Sequence, residues 1–167
     1  MFEIRALTLA DLDALAALLV ETVDGGGSVS FMAPLALEDA RSFWRKSLEA
    51  ASRGERVVLG AFADGELAST VTLHLDCPPN QPHRGEIAKM MTATAHRGRG
   101  AASLVLSCAE DIAREAGRTL LVLDTASEGG ASGLYERHGW IYAGEIPDYA
   151  LKPHGGLVGT RLYYKRL

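Results

Sequence analysis

The loop from His96 to Ala102 is the feature that most constrains the fold of this 167-residue chain. It contains two arginines and two glycines, and it joins a strand-like run, Gly85 to Thr92, to a helical run that reaches Ala116. The free N–H groups at the start of that helix and the arginine side chains favour an anion such as a phosphate or pyrophosphate. The loop matches neither common nucleotide fingerprint, because no lysine with serine or threonine follows its last glycine and its glycines are too few.

The order of the predicted elements changes at this loop. Before it, the runs Val57 to Phe62 and Glu66 to Leu75 flank an Asp-Gly turn and are typical of a β-hairpin. After it, a helix is followed by a strand from Leu120 to Thr125. A strand, a helix and a second strand of these lengths form a right-handed parallel pair. We therefore predict an α/β protein with a mixed, mostly antiparallel sheet and a ligand site at the loop.

The remaining elements follow from hydrophobic periodicity and turn residues. Thr8 and Asp11 resemble a capping pair at the start of a helix, which the glycines at 25–27 end. The other predicted elements are a strand from Phe2 to Ala6, helices from Leu37 to Ala51 and Ala131 to His138, strands from Trp140 to Glu145 and Thr160 to Lys165, and a long loop from Pro147 to Gly156.

The helix after the glycine-rich loop has the clearest amphipathic pattern in the chain. Its predicted buried stripe consists of Ala101, Leu104, Val105, Cys108, Ile112, Ala113 and Ala116. Its predicted solvent side consists of Ser103, Ser107, Glu110, Asp111, Arg114 and Glu115.

Composition excludes several classes of protein. With 47% hydrophobic residues, we expect a single domain over residues 1–167. The net charge of −4 argues against a nucleic-acid partner. No apolar run approaches the ~20 residues that cross a membrane and no signal-peptide core is present, so we expect a cytoplasmic protein without a membrane partner. The two cysteines and the scattered histidines suggest no metal site, and both a monomer and a homodimer are compatible with the sequence.

Several motifs in sequential order resemble those of the GNAT superfamily of acetyl-CoA-dependent N-acetyltransferases. They are Met90-x-Thr92 at a strand end, Arg97-x-x-Gly100-x-Ala102, the amphipathic helix with its following strand, and Tyr135-Glu136-x-x-Gly139-Trp140. The loop meets the phosphate signature of the superfamily, Arg/Gln-x-x-Gly-x-Gly/Ala. The resemblance covers nearly the whole chain and implies the GNAT fold, a sheet of about six to seven strands flanked by about four helices, with a splayed central parallel pair.

Three further motifs look like those of the branch that contains the tabtoxin-resistance acetyltransferase. They are His83-Arg84-x-Glu86-x-x-Lys89-x-Met91, Leu123-Asp124-Thr125 and Gly144-Glu145-Ile146-Pro147-x-Tyr149. One position departs from the superfamily pattern, since Glu128 stands where many relatives carry asparagine. Ser132 is the candidate to supply the missing polar contact to the pantetheine of the cofactor.

The resemblance implies that acetyl-CoA lies in the wedge between the two parallel strands. The implied cofactor-binding residues are Met90, Met91 and Thr92 for the pantetheine, Arg97, Gly98, Arg99, Gly100, Ala101 and Ala102 for the pyrophosphate, and Ser132. A backbone N–H near Met90 or Met91, where the strand is expected to bulge, would hold the thioester oxyanion.

The reaction needs a base and an acid, because an alkylammonium group with a pKa of ~10.4 must lose a proton before it attacks a thioester. Asp124, which follows a buried apolar run, and Glu86 in the preceding strand are the candidate bases. Tyr135 matches the tyrosine acid of the superfamily. The alternatives are an ion pair of Glu86 with Arg84 or Lys89, a capping role for Asp124, and a core position for Tyr135.

The acceptor pocket is the least constrained part of the sequence. Its candidate residues are Val29, Phe31, Met32, Trp44, Asp148 and Tyr149, which imply a small amine with some apolar character. The branch resemblance adds antibiotic or toxin resistance as a role. A protein or peptide amine is a second acceptor class, and a non-catalytic acyl-CoA-binding sensor or regulatory module is a different function. The joint presence of Tyr135, Glu86 and Asp124 speaks against the sensor.

Overall fold

The computed structural model describes residues 1–167, which form seven strands and four α-helices. The strands are β1 (Glu3–Ala6), β2 (Arg56–Ala63), β3 (Glu66–His74), β4 (Arg84–Thr92), β5 (Leu120–Ala126), β6 (Ile141–Leu151) and β7 (Leu157–Arg166). The helices are α1 (Leu12–Asp24), α2 (Leu37–Ser52), α3 (Ala101–Glu115) and α4 (Ser132–Arg137). None of these helices has the length and apolar character that a membrane span requires.

All seven strands belong to one sheet, in the order β1-β2-β3-β4-β5-β7-β6. Every neighbouring pair is antiparallel except β4 and β5, which are parallel. The β2–β3 hairpin turns at Asp64 and Gly65, both of which have positive φ angles. The predicted mixed sheet, its hairpin and its parallel pair are therefore confirmed.

The parallel pair holds together over only a short distance. β4 pairs with β5 from Arg84 to Glu86 and no further, although both strands continue. On its other side, β4 has one residue more than β3 between two successive pairings, and Lys89 adopts a left-handed φ of 51° there. This is a β-bulge, which bends the strand that carries it. The predicted bulge is confirmed, and the two parallel strands leave a wedge between them.

Two hydrophobic clusters lie on opposite faces of the sheet. Val58 belongs to the cluster with α1 and α2, and the adjacent Leu59 belongs to the cluster with α3 and α4. Successive side chains of a strand point to opposite faces, so the helices form two outer layers around the sheet. The capping pair predicted at Thr8 and Asp11 is present, although a short 3-10 turn precedes α1.

The buried face of α3 differs from the predicted stripe. Leu104, predicted inside, is 46% exposed, and Glu110, predicted outside, is buried. The Glu110 carboxylate accepts hydrogen bonds from Trp140 Nε1 at 2.8 Å and from Lys165 Nζ at 2.6 Å. Because these donors come from distant segments of the chain, the local spacing of apolar residues does not predict that the Glu110 carboxylate is buried with hydrogen-bond partners.

The predicted long loop from Pro147 to Gly156 is wrong in its first half, since β6 continues to Leu151. A register shift between Ile146 and Ala150 accommodates Pro147, and Asp148 has a φ of 52°. Proline cannot donate to a strand ladder, but a bulge on an edge strand tolerates it. Pro147 and Asp148 interrupt the alternation of apolar and polar residues without ending the strand, and such an interruption is also typical of a loop.

The turn between β6 and β7 contacts the segment between α1 and α2. The Ala33 N–H donates to the Pro153 carbonyl at 2.9 Å, and His154 Nε2 donates to the Asp24 carbonyl at 2.9 Å. These contacts join the tip of the hairpin to the helical layer. They frame one end of the wedge.

We expect Glu110→Ala to lower the free energy of unfolding by about 3–5 kcal/mol, because it leaves the Lys165 ammonium and the Trp140 indole without their buried acceptor. Chemical denaturation monitored by circular dichroism measures the change. Glu115→Ala, on the exposed end of the same helix, should change it by less than about 0.5 kcal/mol. Equal effects of the two substitutions would contradict a structural role for Glu110.

Candidate active site

A cleft of about 940 Å³ lies in the wedge between β4 and β5. Of the residues that the sequence assigned to a site, those lining it are Val29, Met90, Met91, Thr92, Arg97, Gly98, Gly100, Ala101, Ala102, Asp124, Tyr135 and Tyr149. The glycines that follow α1 and the ends of β6 and β7 complete its walls. The structure therefore brings the glycine-rich loop, the Asp124 carboxylate and the Tyr135 phenol together at one cleft.

The glycine-rich loop presents a row of unused main-chain donors to the cleft. The N–H groups of residues 98–103 donate no hydrogen bond within the protein. Gly98 and Gly100 have φ angles of 71° and 89°, a left-handed conformation that is unfavourable in free energy for a residue with a Cβ. Successive free N–H groups at a helix start form a concave site for an anion, so the loop fits a pyrophosphate.

The segment before the loop is tied to the rest of the fold by side chains. Glu21 Oε1 accepts a hydrogen bond from the Thr94 N–H at 2.7 Å, and this bond holds the pKa of Glu21 below its usual range. Arg99 Nη1 donates to His96 Nδ1 at 2.9 Å, and the Arg99 guanidinium lies over the Phe2 ring. Arg99 is therefore held outside the cleft, whereas Arg97 lines it.

The edge of β4 that faces the wedge has no strand partner beyond Glu86. The main chain of Met90, Met91 and Thr92 lies along this edge and lines the cleft. On the opposite edge, the Ser69 hydroxyl donates to the Met91 carbonyl at 2.8 Å, which ties the bulged segment to β3. An extended ligand can thus pair with β4 where β5 has separated from it.

Asp124 and Tyr135 approach the cleft from different elements. Asp124 lies near the carboxyl end of β5, and its Oδ2 accepts a hydrogen bond from the Thr160 hydroxyl at 2.8 Å. The Tyr135 ring is buried beside Trp140 and Tyr163, while no protein group accepts a hydrogen bond from its hydroxyl. Burial, and then the charge of Asp124, raise the pKa of Tyr135, so the phenol stays protonated. The carboxylate and the phenol are close enough to act on each other.

Glu86 occupies a different position from Asp124. Its pairing partner on β5 is Val122, two residues before Asp124, so both carboxylates are on the same face of the sheet. Glu86 does not line the cleft, and its Oε2 lies 3.3 Å from Arg84 Nη1. The ion pair with Arg84, which the sequence analysis left open, is present in the structure.

Lys89 lines the cleft, and the sequence analysis did not assign it to the site. Its Nζ lies 3.3 Å from Ser30 Oγ and 5.6 Å from the centre of the Phe43 ring. Removal from water lowers the pKa of Lys89, while the negative charges of Asp124 and Glu86 act in the opposite direction. A lysine within the apolar run Ile87-Ala88-Lys89-Met90-Met91 was the available signal.

The structure separates the residues predicted for the acceptor pocket. Val29 and Tyr149 line the cleft, whereas Phe31, Met32 and Asp148 do not. Trp44 is a correction to the sequence prediction, because its side chain is fully buried in the core between α1 and α2 and cannot reach a ligand. Phe31 instead packs edge-on against Phe43, with ring centres 5.1 Å apart.

The segment between β5 and α4 carries the position that departs from the superfamily pattern. Glu128 lines the cleft and forms an ion pair with Lys152 at 3.1 Å. Ser132, the candidate for a contact with pantetheine, does not line the cleft. The ion pair between Glu128 and Lys152 therefore joins the segment between β5 and α4 to the β6–β7 turn.

Comparisons with known proteins agree with this geometry. The sequence model of the acetyltransferase (GNAT) family matches residues 29–140. The chain is similar to the ribosomal-protein-alanine N-acetyltransferase from Brucella melitensis, with 24% identity, a TM-score of 0.83 and 99% coverage of both chains. It is also similar to an N-acetyltransferase from Staphylococcus aureus Mu50, with 20% identity, a TM-score of 0.85 and coverage of 99% of this chain and 98% of that chain. The chain is similar as well to yncA from Salmonella typhimurium, solved with its cofactor acetyl-CoA, with 19% identity, a TM-score of 0.82 and coverage of 99% of this chain and 94% of that chain.

Proposed function

The chain belongs to the GNAT acetyltransferase family, and we propose that it acetylates a primary amine of a small molecule, with Asp124 as base and Tyr135 as acid. As a member of this family it is an acetyl-CoA-dependent N-acetyltransferase, which favours the enzyme over the sensor. Residues 1–167 act as a single acetyltransferase domain. The main support for the proposal is that Asp124, Tyr135 and the glycine-rich loop line the same cleft.

The residues of the cleft fit the cofactor. Acetyl-CoA supplies the acetyl group as a thioester. The free N–H groups of residues 98–103 bind its pyrophosphate, and the unpaired edge of β4 at residues 90–92 binds its pantetheine. Arg97, which lines the cleft beside this loop, adds positive charge.

Asp124 removes the proton that the acceptor amine carries at neutral pH. Thr160 occupies one carboxylate oxygen, Oδ2, and so orients Asp124 with Oδ1 available to the amine. With acetyl-CoA bound, the nitrogen would form its bond to the acetyl carbon as the carbon–sulfur bond breaks, and its second proton would replace the one that Tyr135 gives to the sulfur. Main-chain N–H groups near Met91, just after the bulge, would hold the carbonyl oxygen, an interaction worth ~3 kcal/mol in favourable cases.

Tyr135 donates its hydroxyl hydrogen toward the departing sulfur. Its hydroxyl has no competing partner in the protein, and its raised pKa keeps it protonated over the whole neutral range. The rings of Trp140 and Tyr163 fix its orientation. Glu86 is the second candidate base and would act through water, since Arg84 already binds its carboxylate.

A small acceptor is supported by the way the cleft is framed. The segment after α1 and the β6–β7 turn contact each other, and Val29 from the former and Tyr149 from the strand before the turn both line the cleft. The motif resemblance to the tabtoxin-resistance branch supports a toxin or antibiotic amine as the acceptor. The name of the Brucella relative refers to a ribosomal-protein alanine, so a protein amine is the alternative that an acceptor screen must include.

We expect Gly100→Ala to weaken acetyl-CoA binding about tenfold, because a Cβ strains the left-handed backbone that aims the loop N–H groups. Isothermal titration calorimetry measures the affinity. Gly54→Ala is the matched control, since Gly54 has a φ of 77°, an equally open surrounding and a position outside the cleft. An unchanged affinity in Gly100→Ala would argue against the loop as the pyrophosphate site.

We expect Tyr135→Phe to lower kcat at least tenfold and to leave acetyl-CoA affinity nearly unchanged, because only the hydroxyl is lost. Steady-state release of free thiol, followed with an amine that the enzyme accepts, measures kcat. Tyr142→Phe, on the exposed edge strand, should have no effect on kcat. An unchanged kcat in Tyr135→Phe would contradict the role of Tyr135 as the acid and leave it with a packing role only.

We expect Asp124→Asn to lower kcat/KM at least a hundredfold, because the amide cannot accept the proton of the amine. Glu86→Gln should lower kcat/KM less than tenfold. Asp64→Asn, in the β2–β3 turn, is the control for substitution of an exposed aspartate. If kcat/KM is the same in all three variants, bulk water is the base and the assignment of Asp124 is wrong.

A further inference from the structure

Lys89 is a charged side chain on the cleft wall without a charged partner. It lies at the bulge of β4, where its φ of 51° turns it out of the regular alternation of the strand. Its Nζ has one hydrogen-bond partner, the hydroxyl of Ser30, and faces the ring of Phe43. It forms no salt bridge within 4.0 Å.

An ammonium group that is partly removed from water gains most from a negative partner. A serine hydroxyl and an aromatic face reduce the cost of removing Lys89 from water, but neither carries a full negative charge. Two of the ammonium hydrogens remain available, since a lysine has three donors. The bulge therefore presents an unneutralised cation to whatever occupies the cleft.

Among the other charged residues that line the cleft, Glu128 is paired, whereas Arg97 in the glycine-rich loop and Arg137 at the end of α4 form no salt bridge. Glu128 binds Lys152, and Glu86 binds Arg84. Asp124 has only the Thr160 hydroxyl as a partner, and its charge reaches Lys89 without forming an ion pair. One carboxylate and one ammonium thus stay apart on the walls of the same cleft.

We propose that Lys89 binds a carboxylate of the acceptor, so that the substrate is a small zwitterion whose amine meets Asp124 and whose carboxylate meets Lys89. The inference rests on the proposed function, because it assumes that the amine is acetylated in this cleft. The separation of two unpaired opposite charges complements a molecule that carries both. Val29, which lines the cleft, adds an apolar surface to the wall that carries Lys89.

This arrangement selects among amines. A plain alkylamine would leave Lys89 without an anion, and a polyamine would bring a second positive charge against it. A charge-assisted hydrogen bond to a carboxylate is among the stronger polar contacts, so its loss is measurable in kcat/KM. The expected acceptors are therefore amino acids and related compounds, not simple amines.

The test compares acceptors that differ only in the carboxylate. L-leucine, L-phenylalanine, L-lysine and 4-aminobutyrate are each assayed beside their methyl esters, with release of free thiol as the readout. Esterification makes the nearby amine easier to deprotonate, so a preference for the acid cannot arise from amine basicity. We expect at least one acid to exceed its ester at least tenfold in kcat/KM.

Three variants assign that preference to Lys89. Lys89→Met keeps an unbranched side chain without charge and should reduce the acid-to-ester ratio toward one. Lys89→Arg keeps a positive charge and should retain part of the preference. Lys46→Met, on the exposed face of α2, is the matched control and should leave the ratio unchanged. Acetyl-CoA affinity of each variant, from calorimetry, verifies that the fold is intact.

The possible outcomes separate this inference from the proposed function. If the wild-type enzyme acetylates acids and esters equally, or if Lys89→Met lowers both by the same factor, the carboxylate subsite is wrong while the acetyltransferase assignment stands. The wild-type comparison decides this even if a variant fails to fold. If acetyl-CoA binds but no small amine in the series is acetylated, the small-molecule function fails, and the carboxylate subsite fails with it.

Discussion

The loss of pairing between β4 and β5 after Glu86 is the constraint on which the whole site depends. Main-chain N–H and C=O groups of a strand form hydrogen bonds wherever a partner is available, so a strand edge that opens in the middle of a sheet offers these groups to an extended ligand. The bulge at Lys89 bends β4, and the Ser69 bond to the Met91 carbonyl keeps its other edge attached to β3. One strand therefore pairs within the sheet along one edge and lines the cleft along the other.

The wedge also separates two electrostatic tasks. At the start of α3, main-chain N–H groups form a site for the diphosphate without the desolvation cost of a buried cation. Asp124 and Tyr135 line the same cleft, and the charge of Asp124 contributes to raising the pKa of Tyr135. The β6–β7 turn contacts the segment after α1. The glycine-rich loop therefore offers main-chain groups to the cleft, whereas Asp124 and Tyr135 offer side chains.

The features that the sequence predicted depend on neighbours along the chain. Helix periodicity, the Asp-Gly turn of the hairpin and the glycine-rich loop each occupy a few consecutive residues, and each was found where it was predicted. The features it did not predict depend on distant partners. Glu110 is buried because Trp140 and Lys165 supply its donors, and Trp44 is core because α1 covers it. Local spacing cannot distinguish an apolar side chain that lines a pocket from one that another helix covers.

The sequence by itself determined the class of fold, the anion-binding loop and the carboxylate at the end of a buried strand, since local propensity and the order of strands suffice for these, whereas Tyr135 was identified through the resemblance to the superfamily. The tertiary structure decided which candidate residues share the cleft. It separated Asp124 from Glu86, because the parallel strands diverge after Glu86 and Arg84 already pairs with that carboxylate. It also placed Lys89 on the wall of the cleft, because a one-residue bulge reverses the alternation that the sequence pattern assumes.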